Sequence, residues 1–256
     1  MPLHISAEGA CITNHGPVKT VNEDACLVDR VVSMISLQQA ESFALFPLRT
    51  LAVADGIGGH KAGEQASSLV VGTIAKCQDF SVSTLYNLLC QTNHALFEMA
   101  SQEEALQWMG ATVAGLAVTD QGLVAFNVGD ARVYQVQSGA LTQVTLDDSL
   151  EELLKQVDPS ELPPDLPRGG HVLTQSLGGT AEMRELEPHF YSIAEPAGRF
   201  LLCTDGLSSV VPHATIDQIM RENPDPADCV NALFVESMAT GGTDDVTIVV
   251  MDLKLH

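Results

Sequence analysis

Residues 51–54 are apolar without interruption and end at Asp55, after which the chain turns through Gly56-Ile57-Gly58-Gly59. A short apolar run closed by turn residues predicts a buried strand. The period then lengthens. Ala66, Leu69, Val70, Thr73, Ile74 and Cys77 recur at steps of three and four, the spacing of one helix face. A second helix is predicted to open near Ser83, with Leu85, Leu88, Leu89, Leu96 and Met99 on one side. Beyond it the pattern reads as strands at 112–118, 123–128, 132–136 and 141–145. Turns fall at Asp120-Gln121-Gly122 and Ser138-Gly139. Short strands with such close turns predict an antiparallel meander. Residues 149–170 break the pattern with Pro159, Pro163, Pro164, Pro167 and Gly169-Gly170, which predicts an irregular surface flap. Strands are predicted again at 172–173, 190–193 and 200–203, helices at 216–221 and 226–238, and a closing strand at 247–253.

The 256 residues suit one large domain or two small ones, and no repeat or low-complexity linker divides them. With 45% hydrophobic and 18% charged residues the composition is that of a folded chain. Charge changes the picture more. Thirty-three Asp and Glu stand against 12 Lys and Arg, a formal net charge of −21. Such a surface repels nucleic acid and anionic membranes. No window approaches a membrane-spanning length and no signal peptide is evident. Six cysteines (Cys11, Cys26, Cys77, Cys90, Cys203, Cys229) lie among apolar neighbours with no C-x-x-C pair. That predicts buried free thiols in a reducing cytoplasm.

The acids also carry a pattern. Asp55 ends one apolar run, and Asp130 follows Phe126-Asn127-Val128-Gly129. Asp205 ends the run 200–204, Asp24 follows Asn22-Glu23, and Asp244 immediately precedes a strand. Strand ends that meet at one sheet rim would gather these carboxylates, and gathered carboxylates repel unless a cation joins them. An all-oxygen set favours Mg²⁺, Mn²⁺ or Ca²⁺ over Zn²⁺. Each Asp-Gly taken singly is ordinary turn chemistry.

The ordered set carries more than its parts. Val21-Asn22-Glu23-Asp24-Ala25 is followed by Val53-Ala54-Asp55-Gly56-Ile57-Gly58-Gly59-His60, then by Gly110-Ala111-Thr112 and Asn127-Val128-Gly129-Asp130-Ala131-Arg132-Val133-Tyr134. After these come Leu173-Thr174-Gln175-Ser176-Leu177-Gly178-Gly179, Leu201-Leu202-Cys203-Thr204-Asp205-Gly206-Leu207 and Gly242-Thr243-Asp244-Asp245-Val246-Thr247. From residue 19 to 250 this series resembles the PP2C (PPM) metal-dependent protein serine/threonine phosphatases, in their compact bacterial form. The resemblance implies one catalytic domain over 1–256 with an α+β fold: a four-layer α-β-β-α sandwich of two antiparallel sheets flanked by helix pairs. It implies two Mg²⁺ or Mn²⁺ ions, bridged by Asp55, with the Gly56 carbonyl on one and Asp205 and Asp244 on the other. Asp24 and Glu23 would act through metal-bound water, and Asp130 with Asp205 would hold a third, weaker ion. Asp55, Asp205 and Asp244 are thus the catalytic candidates. A metal-bridging water would attack phosphorus in line, without a phosphoenzyme. Implied partners are phosphorylated proteins and a cognate Ser/Thr kinase.

Three departures from the family pattern stand out. Lys19 occupies the place of a phosphate-gripping Arg and is expected to hold phosphate more loosely. Asp245 replaces an Asn, and Asp147-Asp148-Ser149 stands where D-H-S is common, which leaves the proton donor unassigned. His60 is first read as a helix-start or packing residue. Other enzyme classes lack their signatures: no complete G-x-G-x-x-G, no G-x-x-x-x-G-K-[ST], no C-x₅-R, no G-x-S-x-G and no H-E-x-x-H. The rival from another class is a PP2C-like module that binds a partner without catalysis. The presence of Asp24, Asp55, Asp205 and Asp244 weighs against it.

Overall fold

The computed structural model describes residues 4–59, 61–155 and 172–256. In chain order its strands are β1 (Ile5–Asn14), β2 (Ala25–Val28), β3 (Val31–Ser33), β4 (Glu41–Leu45), β5 (Thr50–Ala54), β6 (Gly56–Ile57), β7 (Gly110–Ala111), β8 (Val113–Thr119), β9 (Gly122–Val128), β10 (Arg132–Gln137), β11 (Ala140–Gln143), β12 (Leu177–Gly178), β13 (His189–Ser192), β14 (Gly198–Cys203) and β15 (Val246–Leu255). The helices are α1 (Lys61–Ala75), α2 (Val82–Gln102), α3 (Leu150–Leu154), α4 (Asp205–Ser208), α5 (His213–Glu222) and α6 (Pro226–Ala239).

Two six-stranded antiparallel sheets result, ordered β11-β10-β14-β15-β1-β4 and β13-β9-β8-β5-β2-β3, with a small third sheet β12-β7-β6. Three apolar layers hold them together. Leu51, Val53, Leu116, Val133, Phe200, Leu202 and Val249 meet between the large sheets. On one outer face Val70, Ile74, Leu85, Leu89 and Leu96 of α1 and α2 pack over Phe126. On the other, Ile216, Met220, Val230 and Leu233 of α5 and α6 pack over Ile12, Leu201 and Val250. Side chains of this size stabilise by about 1.5–3 kcal/mol each when fully buried. The layer order is α-β-β-α, as the resemblance implied.

The four longest helices, α1, α2, α5 and α6, form where the three- and four-step pattern put them, and side-chain caps open α2 and α6. Ser81 opens α2 by accepting the Thr84 N–H at 3.0 Å. Asp225 opens α6, accepting the N–H groups of Ala227 and Asp228 at 2.8 and 3.1 Å, and Pro226 follows at a position where no N–H is needed.

Three expectations need correction. The meander does not stay in one sheet. β8 and β9 pair with each other in one large sheet, whereas β10 and β11 pair in the other. The chain crosses between sheets at 129–131, which Gly129 permits with φ of +93°. The start of the expected irregular segment is ordered: the Ser149 hydroxyl accepts the Glu152 N–H at 3.2 Å and caps α3. Leu173 forms only an isolated bridge to Ser149 rather than a strand. The remainder of the expected flap, 156–170, lies outside the described residues, as does His60.

Antiparallel pairing decides what meets at the rim. Asn14 stands opposite Val246, Ala25 opposite Ala54, Val113 opposite Val128 and Arg132 opposite Cys203. Strands that end there alternate with strands that begin there. Residues just before β2, just after β5, between β9 and β10, just after β14 and just before β15 therefore share one end of the sandwich.

Candidate metal centre

Those five positions are Asp24, Asp55, Asp130, Asp205 and Asp244. Asp24 is wholly buried and Asp130 nearly so, at 0% and 5% exposure. Asp55 and Asp205 are part-exposed, and Asp244 is the outermost. Asp205 also opens the single turn of α4, directly after Thr204. Burial, and then the fields of Asp24, Asp205, Asp244 and Asp130, push the Asp55 carboxyl well above the ordinary carboxylate range. Four acids acting on a fifth is the electrostatic mark of a gathered cluster.

Asp24 is held from one side only. Its Oδ2 accepts the hydroxyls of Thr204 and Thr247, each at 2.7 Å. Its Oδ1 is buried without a hydrogen-bond partner among the described residues. Burial pushes this carboxyl up to about 8; the two hydroxyls pull against that, and the fields of Asp245 and Asp205 add to it. A lone pair left unserved in the interior is costly, which marks a place for a proton, a water or a cation.

The support for Asp24 was not anticipated from the sequence. Thr13 and Thr247 join hydroxyls at 2.8 Å, and the Asn22 amide donates to Thr13 at 2.8 Å. Asn22 Oδ1 accepts the Asp24 N–H at 3.1 Å, and Ser67 donates to the Glu23 carbonyl at 2.5 Å. The available signal was polar residues at strand positions that should be apolar: Thr13 in β1 and Thr247 in β15, both buried.

Glu23 is 6% exposed, and a Cβ added to Gly63 would stand 3.0 Å from its Oε2 and 2.8 Å from the Gly56 carbonyl. Glu23 and Gly56 are thus packed against the same turn at the start of α1. Lys19 turns its ammonium inward. It forms a close ion pair with Asp244, a second with Asp245 at 3.0 Å and a looser one with Glu23 at 3.6 Å. Burial lowers its pKa, but Asp244 and Asp245 outweigh burial and raise it.

Asp147 and Asp148 part company. Asp147 takes the guanidinium of Arg132, with Nη2 to Oδ2 at 2.6 Å. Asp148 accepts the Gly129 N–H at 2.8 Å, Gln175 at 2.9 Å and His189 at 2.8 Å. Asp148 therefore fixes the sheet-crossing segment that carries Asp130.

The oxygen-only donors, the unserved Asp24 Oδ1 and the mutual repulsion fit a hard divalent cation. The spacing is open rather than closed: among the described residues no three Asp, Glu, His or Cys side chains stand ready to hold an ion unaided.

Comparison with known proteins agrees with this architecture. The Protein phosphatase 2C family matches residues 13–240, and the chain belongs to that family. The serine/threonine protein phosphatase PstP of Mycobacterium tuberculosis is 33% identical over 80% of this chain. The match covers 40% of PstP, so the chain spans less than half the length of that relative. A crystal structure of the M. tuberculosis phosphatase superposes with a TM-score of 0.76 at 30% identity, covering 97% of this chain and 98% of that one. The PstP catalytic domain in complex with two manganese ions gives 0.75 at 29% identity, over 98% and 99%.

Proposed function

We propose that the chain is a metal-dependent serine/threonine protein phosphatase, acting on phosphoserine and phosphothreonine in proteins with Mg²⁺ or Mn²⁺. The observation that carries this reading is the gathering of five aspartates at one rim, with Asp24 Oδ1 buried and unserved. Family membership, and the manganese held by the PstP catalytic domain, support it. When bound, divalent ions would supply Lewis acidity, to make water a stronger nucleophile and to offset charge on phosphoryl oxygens.

The residues that would hold them are Asp55, the Gly56 carbonyl, Asp205 and Asp244, with Asp24 and Glu23 behind and Asp130 serving a third, weaker position. The open spacing suits ions that keep several waters of their own. Thr204 and Thr247 hold Asp24 by one oxygen, so its other oxygen stays aimed by residues at the end of β14 and in β15. Asp148 holds the Gly129 N–H and so keeps Asp130 at the sheet crossing.

Residues 1–256 act as one catalytic unit in this reading. Its partners are phosphorylated proteins and the Ser/Thr kinase that makes them, in the cytoplasm. Among the described residues no helix is long and apolar enough to cross a membrane. The test is phosphate release from a phosphothreonine peptide. Activity is expected with Mn²⁺ or Mg²⁺ and none after chelation; undiminished hydrolysis in EDTA would sink the metal-dependent reading.

A further inference from the structure

Asp245 is 1% exposed, and one segment of chain fills its carboxylate. Oδ1 accepts the Gly16 N–H at 3.2 Å. Oδ2 accepts the Glu23 N–H at 2.9 Å and the Lys19 ammonium at 3.0 Å. All three donors lie between residues 16 and 23, so the carboxylate sits inside the loop that leads from β1 to Asp24. The backbones around it are pressed together. A Cβ on Gly16 would come within 2.1 Å of the Thr243 carbonyl, and one on Gly206 within 1.9 Å of the Asp245 carbonyl. A turn from the Lys19 N–H to the Gly16 carbonyl at 3.0 Å fixes where the lysine leaves the backbone. The Asp245 N–H in turn donates to Asp244 Oδ1 at 2.9 Å.

We infer that Lys19 is a positioning residue: its ammonium is the fixed counter-charge of buried Asp245, and the pair locks the 16–23 loop to the 243–245 turn without adding net charge to the metal site. A buried carboxylate is tolerated only with donors and an opposite charge, and removal of one partner strands the other. Two backbone N–H groups serve the Asp245 oxygens, and among the described residues Lys19 is the cation beside them; the same ammonium also pairs with half-exposed Asp244 and, at 3.6 Å, with Glu23. The lock joins the two segments that carry Glu23 and Asp24 on one side and Asp244 on the other. Its effect on metal binding rests on the proposed metal centre; its effect on stability does not.

A phosphate-gripping Lys19 and a counter-charge Lys19 behave differently. A grip acts whatever residue stands at 245. A counter-charge to Asp245 matters most while residue 245 carries a carboxylate. The experiment is a double-mutant cycle in the whole chain with Lys19→Met, Asp245→Asn and both together. Melting temperature is read in EDTA and Mn²⁺ affinity by calorimetry. Lys19→Met is expected to lower the melting temperature sharply in the wild-type background and much less beside Asp245→Asn, where the pairs with exposed Asp244 and with Glu23 at 3.6 Å remain. Lys19→Met leaves the site one charge more negative and is expected to tighten Mn²⁺ by about three- to tenfold; Asp245→Asn weakens it similarly, and the double variant returns to within about twofold. If Lys19→Met alone fails to fold, folding of the double variant is the same rescue. Equal effects of Lys19→Met on stability in both backgrounds would overturn the inference. So would a higher KM for a phosphopeptide, equal in both backgrounds, with stability unmoved; that result would assign the lysine to phosphate. A wild-type chain that binds no Mn²⁺ would defeat the metal centre, while the melting temperatures in EDTA would still decide the pair.

Discussion

Stripped of metal, this protein is expected to lose stability as pH rises from 5 to 8, and Asp24, beside Asp55, is the reason. Its carboxyl is fully buried, and burial lifts its pKa from 3.8 to about 8. The folded chain therefore holds a proton that the unfolded chain has already released. Stability from that proton is complete below about pH 4 and is lost as pH climbs through about 8. Between pH 5 and 8 the loss approaches its limiting slope of about 1.4 kcal/mol per unit, about 4 kcal/mol in total as an upper value. For a chain of this size that is a fall of about 10 °C in melting temperature. The assay is thermal denaturation in EDTA at several pH values, for the wild type and for Asp24→Asn. An Asn keeps an oxygen for Thr204 and Thr247 but cannot titrate, so the difference between the curves reports Asp24 together with the part of the Asp55 shift that its charge causes, and more distant groups cancel. The wild-type curve should fall more steeply. Saturating Mn²⁺ should reverse the trend, because cations take the place of protons and bind better as pH rises; at a hundred times its dissociation constant Mn²⁺ adds about 2.7 kcal/mol. Parallel curves for the two proteins, or wild-type stability that rises with pH in EDTA, would refute the placement of Asp24 as a buried, cation-seeking acid.

Two further outcomes follow from the same geometry. Asp55→Ala and Asp205→Ala should each reduce phosphopeptide hydrolysis to background, whereas Asp130→Ala should impair it and leave the main Mn²⁺ binding visible by calorimetry; near-normal turnover in Asp55→Ala would disprove the assignment of the bridging position. Arg132→Ala should destabilise by about 3–5 kcal/mol in urea denaturation, because Asp147, whose side chain is 9% exposed, would lose its charged partner; a loss under about 1 kcal/mol would show the pair to behave as a surface bridge.

How far the chain can be read without coordinates differs between its halves. The helices were legible because apolar residues at three- and four-residue steps have one explanation, and Ser81 and Asp225 mark their starts. The strands that flank Asp55, Asp130 and Asp205 were legible because each apolar run stops at an acid. No strand was predicted over 5–45, although β1 lies between β15 and β4 in its sheet. The physical reason is that β1 is buried on both faces over much of its length, which erases the alternation that a half-buried strand displays. At the other extreme β3 and β4 are short edge strands with mixed exposure, and no period can establish itself in them. The jump between sheets at Gly129 was invisible for a different reason. Strand pairing is a long-range choice, and adjacent strands in sequence usually pair.

The site shows the same division between identity and arrangement. Asp55, Asp130 and Asp205 could be picked out by their positions at or just past the ends of apolar runs, because a rim carboxylate needs a strand to carry it there; Asp24 and Asp244 stood out through the ordered motifs around them. What those aspartates require from their neighbours could not. Thr247 serves Asp24 from β15 and Thr204 from just past the end of β14, and their partnership with Asp24 exists only once β14 and β15 pair and the two sheets stack. Lys19 and Asp245 are 226 residues apart and meet because the first and last long strands lie side by side. Each departs from the family pattern, and each taken alone would be unfavourable: an ammonium among metal ligands, a carboxylate in the interior. Together they are a neutral pair with its hydrogen bonds made. Two substitutions that read separately as weaknesses in the sequence become, at 3.0 Å, one device whose parts are expected to fail singly and be rescued together.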